Sequence, residues 1–278
     1  MLSSITPLIL TFNERENLPR TLARLDWASQ IVVLDSFSSD DTCKIARAHR
    51  NVELIQRQFD NHSNQWNFGV SQVRTDWVLS LDADYILPDA FAAELKQLNP
   101  ASDLTAYFAR FIYSVNGRPL RSALYPPRAV LFRKSDSTYF QEGHTQLLRT
   151  SGKTAFLSTP IEHDDRKTLE RWITEQNKYA LREVTHLLSK PWKDLNRPDR
   201  VRRYIVLAPF LVFFYTLIGK RLILDGWPGW YYVFQRTFAE LLLSLRLLEA
   251  KLNQNLPSTE TTPSRTRDLE QPTDLVKK

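Results

Sequence analysis

The sequence predicts an α/β fold, with a helix-covered sheet first, a largely antiparallel group of strands second, and helices last. Three observations carry this. Short β-branched runs alternate with helical stretches over the first hundred residues; strand-like runs flank Asn116-Gly117; and an uncharged apolar run, Tyr204 to Ile218, lies between basic clusters. A chain of 278 residues with 42% hydrophobic side chains is long enough for one large domain or two small ones, which excludes wholesale disorder.

Ile5 to Phe12, Ile31 to Leu34, Val52 to Gln56 and Trp77 to Leu81 are the first four strand candidates, each followed by polar residues where a strand would end. Leu18, Leu22 and Leu25 recur at helical spacing between the first two. Ser39, Asp40 and Asp41 are N-cap candidates for a helix over Thr42 to Ala48. From Thr105 onward the runs read as an antiparallel region, because Asn-Gly between two such runs marks a hairpin. A helix over Lys167 to Leu188, the apolar run and an amphipathic stretch over Tyr231 to Leu252 follow. The predicted division is an α/β domain over 1–190, a basic and apolar helical extension over 191–254, and a polar, Pro/Thr-rich disordered tail over 255–278. Within the first domain, residues 1–100 form one half and residues 101–190 the other.

Composition narrows the chemistry. Seven glycines and the single Cys43 exclude collagen-like repeats, a disulfide framework and a four-cysteine zinc site, and make a cytosolic setting the default. Met1 to Phe12 lacks the basic leader and small-residue cleavage site of an export signal. The glycines fit neither a dinucleotide fingerprint nor a P-loop. If the sheet binds a nucleotide, something else must neutralise the phosphates, and Asp82-Ala83-Asp84 is the candidate to hold a cation that does so. Residues two apart in an extended segment point the same way, so both carboxylates can converge on one hard cation at the end of the fourth strand, where open α/β sheets bind ligands. Cys43 reads as a small core residue, and His49, His62 and His186 as surface residues.

Four segments in order resemble glycosyltransferase family 2, whose members have the GT-A fold. Leu10-Thr11-Phe12-Asn13-Glu14 is similar to the family's P-T-Y-N-E, and Asp35-Ser36-Phe37-Ser38-Ser39-Asp40-Asp41-Thr42 to its D-D-G-S-x-D-x-T, with Ser36 and Phe37 in place of the second Asp and the Gly. Asn67-Phe68-Gly69 matches the N-x-G step, and Asp76 to Asp84 the strand leading into Asp-x-Asp. The resemblance implies a GT-A, Rossmann-like mixed sheet with a C-terminal membrane-associated helical extension. It implies that Thr11, Glu14 and Asp35, with Asn67, belong to the nucleotide-sugar pocket, that Asp82 lies near ribose and metal, and that Asp84 ligates Mg2+ or Mn2+. The plainer readings are helix-dipole help for Glu14 and a turn-forming Asx residue for Asp35.

Later segments resemble the bacterial glycosyltransferases of the lipopolysaccharide inner core: Glu142-Gly143-His144, His163-Asp164-Asp165-Arg166-Lys167, Trp172 with Asn177 and Tyr179, and Asp225-Gly226-Trp227-Pro228-Gly229. Thr145 stands where that branch has Glu. An inverting transfer needs a base for the acceptor hydroxyl. Glu142 is the first candidate and His144 the second, a histidine merely satisfied on a sheet being its plain reading. His163 is a candidate for the metal or pyrophosphate site, with Arg166 and Lys167 on the phosphate side; an exposed charged helix start explains the same segment.

The net charge of +6 is matched by residues 190–221 alone, which hold eight Lys/Arg against two Asp. Lys190, Lys193, Arg197, Arg200, Arg202 and Arg203 precede the apolar run and Lys220 and Arg221 follow it, a pattern that anionic lipid attracts. Fifteen residues with Pro209 inside are short for a crossing, so a monotopic segment is favoured over a transmembrane or buried core helix. The expected function is a metal-dependent inverting glycosyltransferase moving a sugar from a UDP-linked donor to a lipid-linked saccharide such as the lipopolysaccharide core. Its expected place is the cytoplasmic face of a bacterial inner membrane. The alternative is a non-catalytic sugar-nucleotide-binding or membrane-scaffold protein on the same fold. A nucleic-acid partner is not expected, because the basic residues flank an apolar run instead of interleaving with aromatics.

Overall fold

In the computed structural model of the chain, residues 1–142 and 145–254 are described. The first half is a βα-repeat: β1 (Ile5–Thr11), α1 (Leu18–Leu22), β2 (Ile31–Asp35), α2 (Thr42–Ala48), β3 (Val52–Gln56), α3 (His62–Gln72) and β4 (Trp77–Asp82). After it come β5 (Tyr85–Ile86), α4 (Asp89–Gln97), β6 (Leu104–Ala109), β7 (Phe111–Val115), β8 (Arg118–Pro119) and β9 (Arg128–Arg133). Then follow β10 (Ser137–Glu142), β11 (Thr145–Thr150), β12 (Lys153–Phe156) and β13 (Ile161–His163). Helices α5 (Leu169–Ser189), α6 (Arg197–Arg202), α7 (Leu207–Phe214) and α8 (Gly226–Gln254) complete the described chain.

The main sheet has the order β12-β6-β9-β4-β1-β2-β3. Its β3, β2, β1 and β4 are mutually parallel, while β9 runs antiparallel to both β4 and β6. Both faces are covered, which is why β1 and β2 read as continuous apolar runs. Ile5, Ile9, Leu79 and Leu81 pack on one side with Leu18, Leu22 and Phe91, and Leu8, Leu34, Val78 and Phe132 on the other with Trp66 and Val70 of α3.

The four expected strands stand within one residue of their predicted ends. Asn116 and Gly117 both take positive φ and join β7 to β8 through the Val115↔Arg118 pair, the hairpin that their sequence predicts. The antiparallel expectation needs one correction: β12 is parallel to β6 and β13 is parallel to β7, because each returns to its partner after intervening structure and not through a tight turn. Asp41 holds the N-cap position of α2 without a side-chain cap bond, and Asp40 beside it accepts from the Thr42 backbone N–H through Oδ1 at 2.9 Å. His186 is no surface residue, since it is held on α5 with Nε2 3.5 Å from Asp199.

Two glycines explain the Asp225-Gly226-x-x-Gly229 segment. Gly226 turns the chain at φ +61°, and a Cβ on Gly229 would come within 2.0 Å of the Leu222 carbonyl oxygen. α8 can therefore start five residues before the expected Tyr231. Asp225 fixes the corner by accepting from Arg121 Nε at 2.6 Å and Arg121 backbone N–H at 3.1 Å. Trp172 and Asn177 are likewise engaged at the α5–α8 seam, Trp172 in a tilted ring contact with Phe238 and Asn177 accepting from Arg246. Arg202 ties the same helices together through Glu183 and Glu240 at 3.0 Å and Asp199 at 3.4 Å.

The apolar run folds as α7 followed by a wide helical turn over Tyr215–Gly219. Ala208, Pro209, Thr216 and Leu217 face inward, whereas Val206, Phe210, Phe214 and Ile218 are more than half exposed. Among the described residues no single helix is long and apolar enough to cross a membrane; Leu207–Gly219 and Leu222–Asn253 pass together as a pair bent by 65°. Residues 255–278, expected to be a tail, lie outside the described residues.

Candidate active site

The acidic residues of the first half gather where β1, β2 and β4 end, because the register sets Thr11 beside Asp35 and Leu10 beside Asp82. Thr11 Oγ1 donates to Asp35 at 3.0 Å. Asp35 also accepts from the Ser38 backbone and hydroxyl, Cys43 Sγ and Gln56 Nε2. These donors hold its pKa below the ordinary carboxylate value although burial opposes them. Asp35 is fully buried, and through these bonds it ties the ends of β1, β2 and β3 to the start of α2, with Cys43 among its partners.

Glu14 is buried on the turn after β1. Its carboxylate accepts from Asn17 Nδ2 at 2.9 Å and pairs with Lys167 Nζ at 2.9 Å and Arg171 Nη2 at 3.6 Å. Burial pushes it up to about 7 against the pull of Lys167. Arg171 donates to the Phe12 carbonyl at 2.6 Å and to the Asn13 carbonyl, so the start of α5 is strapped over the β1 turn. The phosphate-side candidates Arg166 and Lys167 are both ion-paired in this arrangement, Arg166 with Asp164 at 2.6 Å and Lys167 with Glu14 at 2.9 Å.

The Asp-x-Asp expectation of two carboxylates on one strand face also changes, because β4 ends at Asp82 and Ala83-Asp84 form a turn. Asp84 Oδ2 lies 3.1 Å from His163 Nε2, whose ring sits among Tyr85, Tyr113 and Tyr125 at centroid distances of 5.4, 4.8 and 4.6 Å. Burial disfavours both ions, yet each holds the other charged: His163 is raised and Asp84 lowered. Asp82 is raised by burial and by Asp84, and it hydrogen-bonds to Tyr85, whose hydroxyl is 2.5 Å from that of Tyr125.

Among the described residues no three acidic, histidine or cysteine side chains are grouped to hold a metal. The donor set does suit Mg2+ or Mn2+ brought in with a diphosphate, because such ions take one or two carboxylates plus substrate phosphates. Asp84 Oδ1 is buried without a hydrogen-bond partner, and beside it the burial of Asp82 outweighs the help of Arg128, Tyr85 and His163.

A cavity of about 390 Å³ opens from Asp82, walled by Trp66, Tyr85, Arg128, Phe140 and Gln146. Arg128 was not legible as a site residue; its guanidinium stacks over the Tyr125 ring at 5.3 Å. The hairpin that walls this cavity pairs up to Glu142↔Thr145. The Glu142 side chain and His144 lie outside the described residues. Asn67 departs from its expected place at the nucleotide, because its amide is engaged by the backbone of Tyr139, donating to the carbonyl and accepting from the N–H at 2.9 Å each.

The chain is similar over 95% of its length, and over 92% of the relative's, to an uncharacterized glycosyltransferase of Rickettsia bellii (strain RML369-C), at 22% identity. It is 25% identical over 103 residues to the lipopolysaccharide core biosynthesis glycosyltransferase LpsC of Rhizobium meliloti (strain 1021), 36% of this chain and 38% of that one. S. aureus TarS 1-349, solved in complex with UDP-GlcNAc, aligns over 90% of this chain and 91% of its own at 14% identity with a TM-score of 0.44, too remote to carry an argument. The family model described as Glycosyl transferase family 2 matches residues 7–158, more than half of the chain. With its mixed sheet, its acidic strand ends and its C-terminal helices, the chain has the GT-A arrangement and belongs to glycosyl transferase family 2.

Proposed function

We propose that the protein is a metal-dependent, inverting glycosyltransferase that moves a sugar from a UDP-linked donor to a lipid-linked saccharide of the lipopolysaccharide core type. The observation that carries this reading is the convergence of Glu14, Asp82 and Asp84 at the strand ends of a family 2 chain, beside a cavity sized for a sugar. Asp82 and Asp84 would hold a divalent cation, which when bound neutralises the departing diphosphate. His163 keeps Asp84 ionised and in place. Glu142, or else His144, takes the acceptor proton.

The acceptor class rests on the outer face of α7 and α8. Phe210, Phe214, Ile218, Leu224 and Trp227 are 55–84% exposed there, with Lys220 and Arg221 between them. A contiguous apolar face with cations on it suits the headgroup region of an anionic bilayer. A peripheral, monotopic position on the cytoplasmic face of a bacterial inner membrane follows, with the donor soluble and the acceptor in the lipid.

The test is a thermal-shift series on detergent-extracted protein with UDP-, GDP- and CMP-sugars, each with Mn2+ or with chelator. A metal-dependent rise with one nucleotide is expected. No rise with any of them would overturn the donor reading.

A further inference from the structure

Strand β9 is paired with both of its neighbours at one end and leaves one of them at the other. Its ladder with β4 runs from Trp77↔Arg133 to Leu79↔Leu131 and stops there, although β4 continues to Asp82 and β9 begins at Arg128. The cause is a bulge. Against β6, Tyr107 pairs with Leu131 and Phe108 with Ala129, so Val130 is an extra residue on β9. A bulge bends its strand and re-aims the side chains beyond it. β9 therefore stays with β6 as far as Ala109↔Arg128 and parts from β4, the last link being Ser80 Oγ to the Val130 carbonyl at 3.3 Å. The cavity beside Asp82 opens in this gap, with Asp82 on one side and Arg128 on the other.

A ladder without the bulge would set Arg128 opposite Asp82; with it, both line the cavity and do not pair. Among the described residues Arg128 forms no ion pair, and its buried Nε has no hydrogen-bond partner. The Tyr125 ring at 5.3 Å holds the guanidinium in place and supplies no anion. A half-buried cation is rarely left so, because its lost hydration is not offset. Arg128 is also the single cation among the described residues of the lining, which is otherwise largely apolar and aromatic, with Trp66, Tyr85 and Phe140 in the wall. A chamber of this kind suits one sugar ring that carries one acidic group. The donor diphosphate fits the place less well. Its counter-ion belongs at Asp82 and Asp84, and β1 and β2, the strands that the nucleotide reading uses, lie on the opposite edge of β4 from β9.

We propose that Arg128 is the receptor for the carboxylate of an acidic sugar, bound in the gap that the β9 bulge opens, and that it sets a preference for substrates of the uronic acid type. The guanidinium fork takes a carboxylate through two parallel N–H donors. This rests on the UDP-donor reading above. The acid can arrive on the donor sugar or on the acceptor, and the test has an arm for each. The full chain with Mn2+ is titrated with UDP-glucuronate against UDP-glucose and, with UDP and Mn2+ held at saturation, with methyl glucuronide against methyl glucoside. Arg128→Gln removes the charge, and Arg128→Lys keeps it without the fork. Wild type should bind the acidic member of one pair about tenfold tighter or more. That preference should vanish in Arg128→Gln and shrink in Arg128→Lys, while UDP itself binds all three proteins equally. If Arg128→Gln does not fold, the Lys variant decides, by a reduced or an unchanged acidic preference. No acidic preference in either arm, or one that survives in Arg128→Gln, overturns the receptor and leaves the donor reading standing. Loss of UDP affinity in folded Arg128→Gln assigns the cation to the diphosphate and also overturns it. A folded wild-type protein that binds no UDP overturns both.

Discussion

The Lys167 ammonium lies 2.9 Å from a carboxylate oxygen of Glu14, joining the segment before α5 to the turn after β1. Burial raises Glu14 from 4.5 to about 7, so between those values the folded state holds a proton that the unfolded chain has lost. Stability from this group is therefore present at low pH and declines as pH rises through the window, by at most about 1.4 kcal/mol per pH unit. Glu14→Gln should flatten that decline in urea denaturation series run at several pH values. An unchanged slope would place Glu14 near its ordinary value.

Asn67→Ala should leave the N–H and carbonyl of Tyr139 unpaired and cost about 1–3 kcal/mol. Amide hydrogen exchange should quicken along β10 in the variant. If Asn67 served the nucleotide instead, donor affinity would fall with no loss of stability.

Arg202→Met should cost about 3 kcal/mol, because it strands the buried Glu240 and takes a cationic partner from Glu183 and Asp199, all three side chains being 6–8% exposed. Arg202→Lys, which keeps a cation there, should recover part of the lost Tm. An equal deficit in the Met and Lys variants would point away from stranded charge.

Asp84→Ala should abolish metal-dependent donor binding, whereas Glu142→Gln should keep donor binding and lose transfer by about 10²- to 10⁴-fold. Single-turnover assays and donor titration separate the two effects. Transfer that survives in Glu142→Gln assigns the base to His144.

Phe210→Glu combined with Trp227→Glu should reduce sedimentation with phosphatidylglycerol vesicles more than tenfold, since these rings are 60% and 84% exposed. Wild-type binding should weaken with salt, through Lys220 and Arg221. Equal sedimentation of both proteins would remove the bilayer as the occupant of this face.

The parallel half of the sheet was readable because β1, β2 and β4 are buried on both sides and end abruptly in polar residues. Asn116-Gly117 announced its hairpin by its own turn chemistry. The parallel returns of β12 and β13 were not readable, because nothing local in a short strand records which distant edge receives it. Site residues were found by motif, and their partners were not. Lys167 looked like a phosphate ligand because a lysine beside acids reads the same from sequence whether it is free or paired with Glu14. Arg128 and the tyrosines around His163 come from β5, β7 and the segment that runs into β9, which only the folded chain assembles.

The corner at Gly226 and Gly229 has a mechanical side. Asp225 grips Arg121, and the Tyr232 hydroxyl accepts from Leu124 N–H at 2.8 Å, so the loop that leads into Pro126, Pro127 and Arg128 hangs from the first turns of α8. One wall of the cavity is thus hinged to the helix that carries the apolar face. The start of α8 and the loop beside Asp82 are thus fastened at two points, Arg121 to Asp225 and Leu124 to Tyr232, so a change in the seating of either segment must be accommodated by the other.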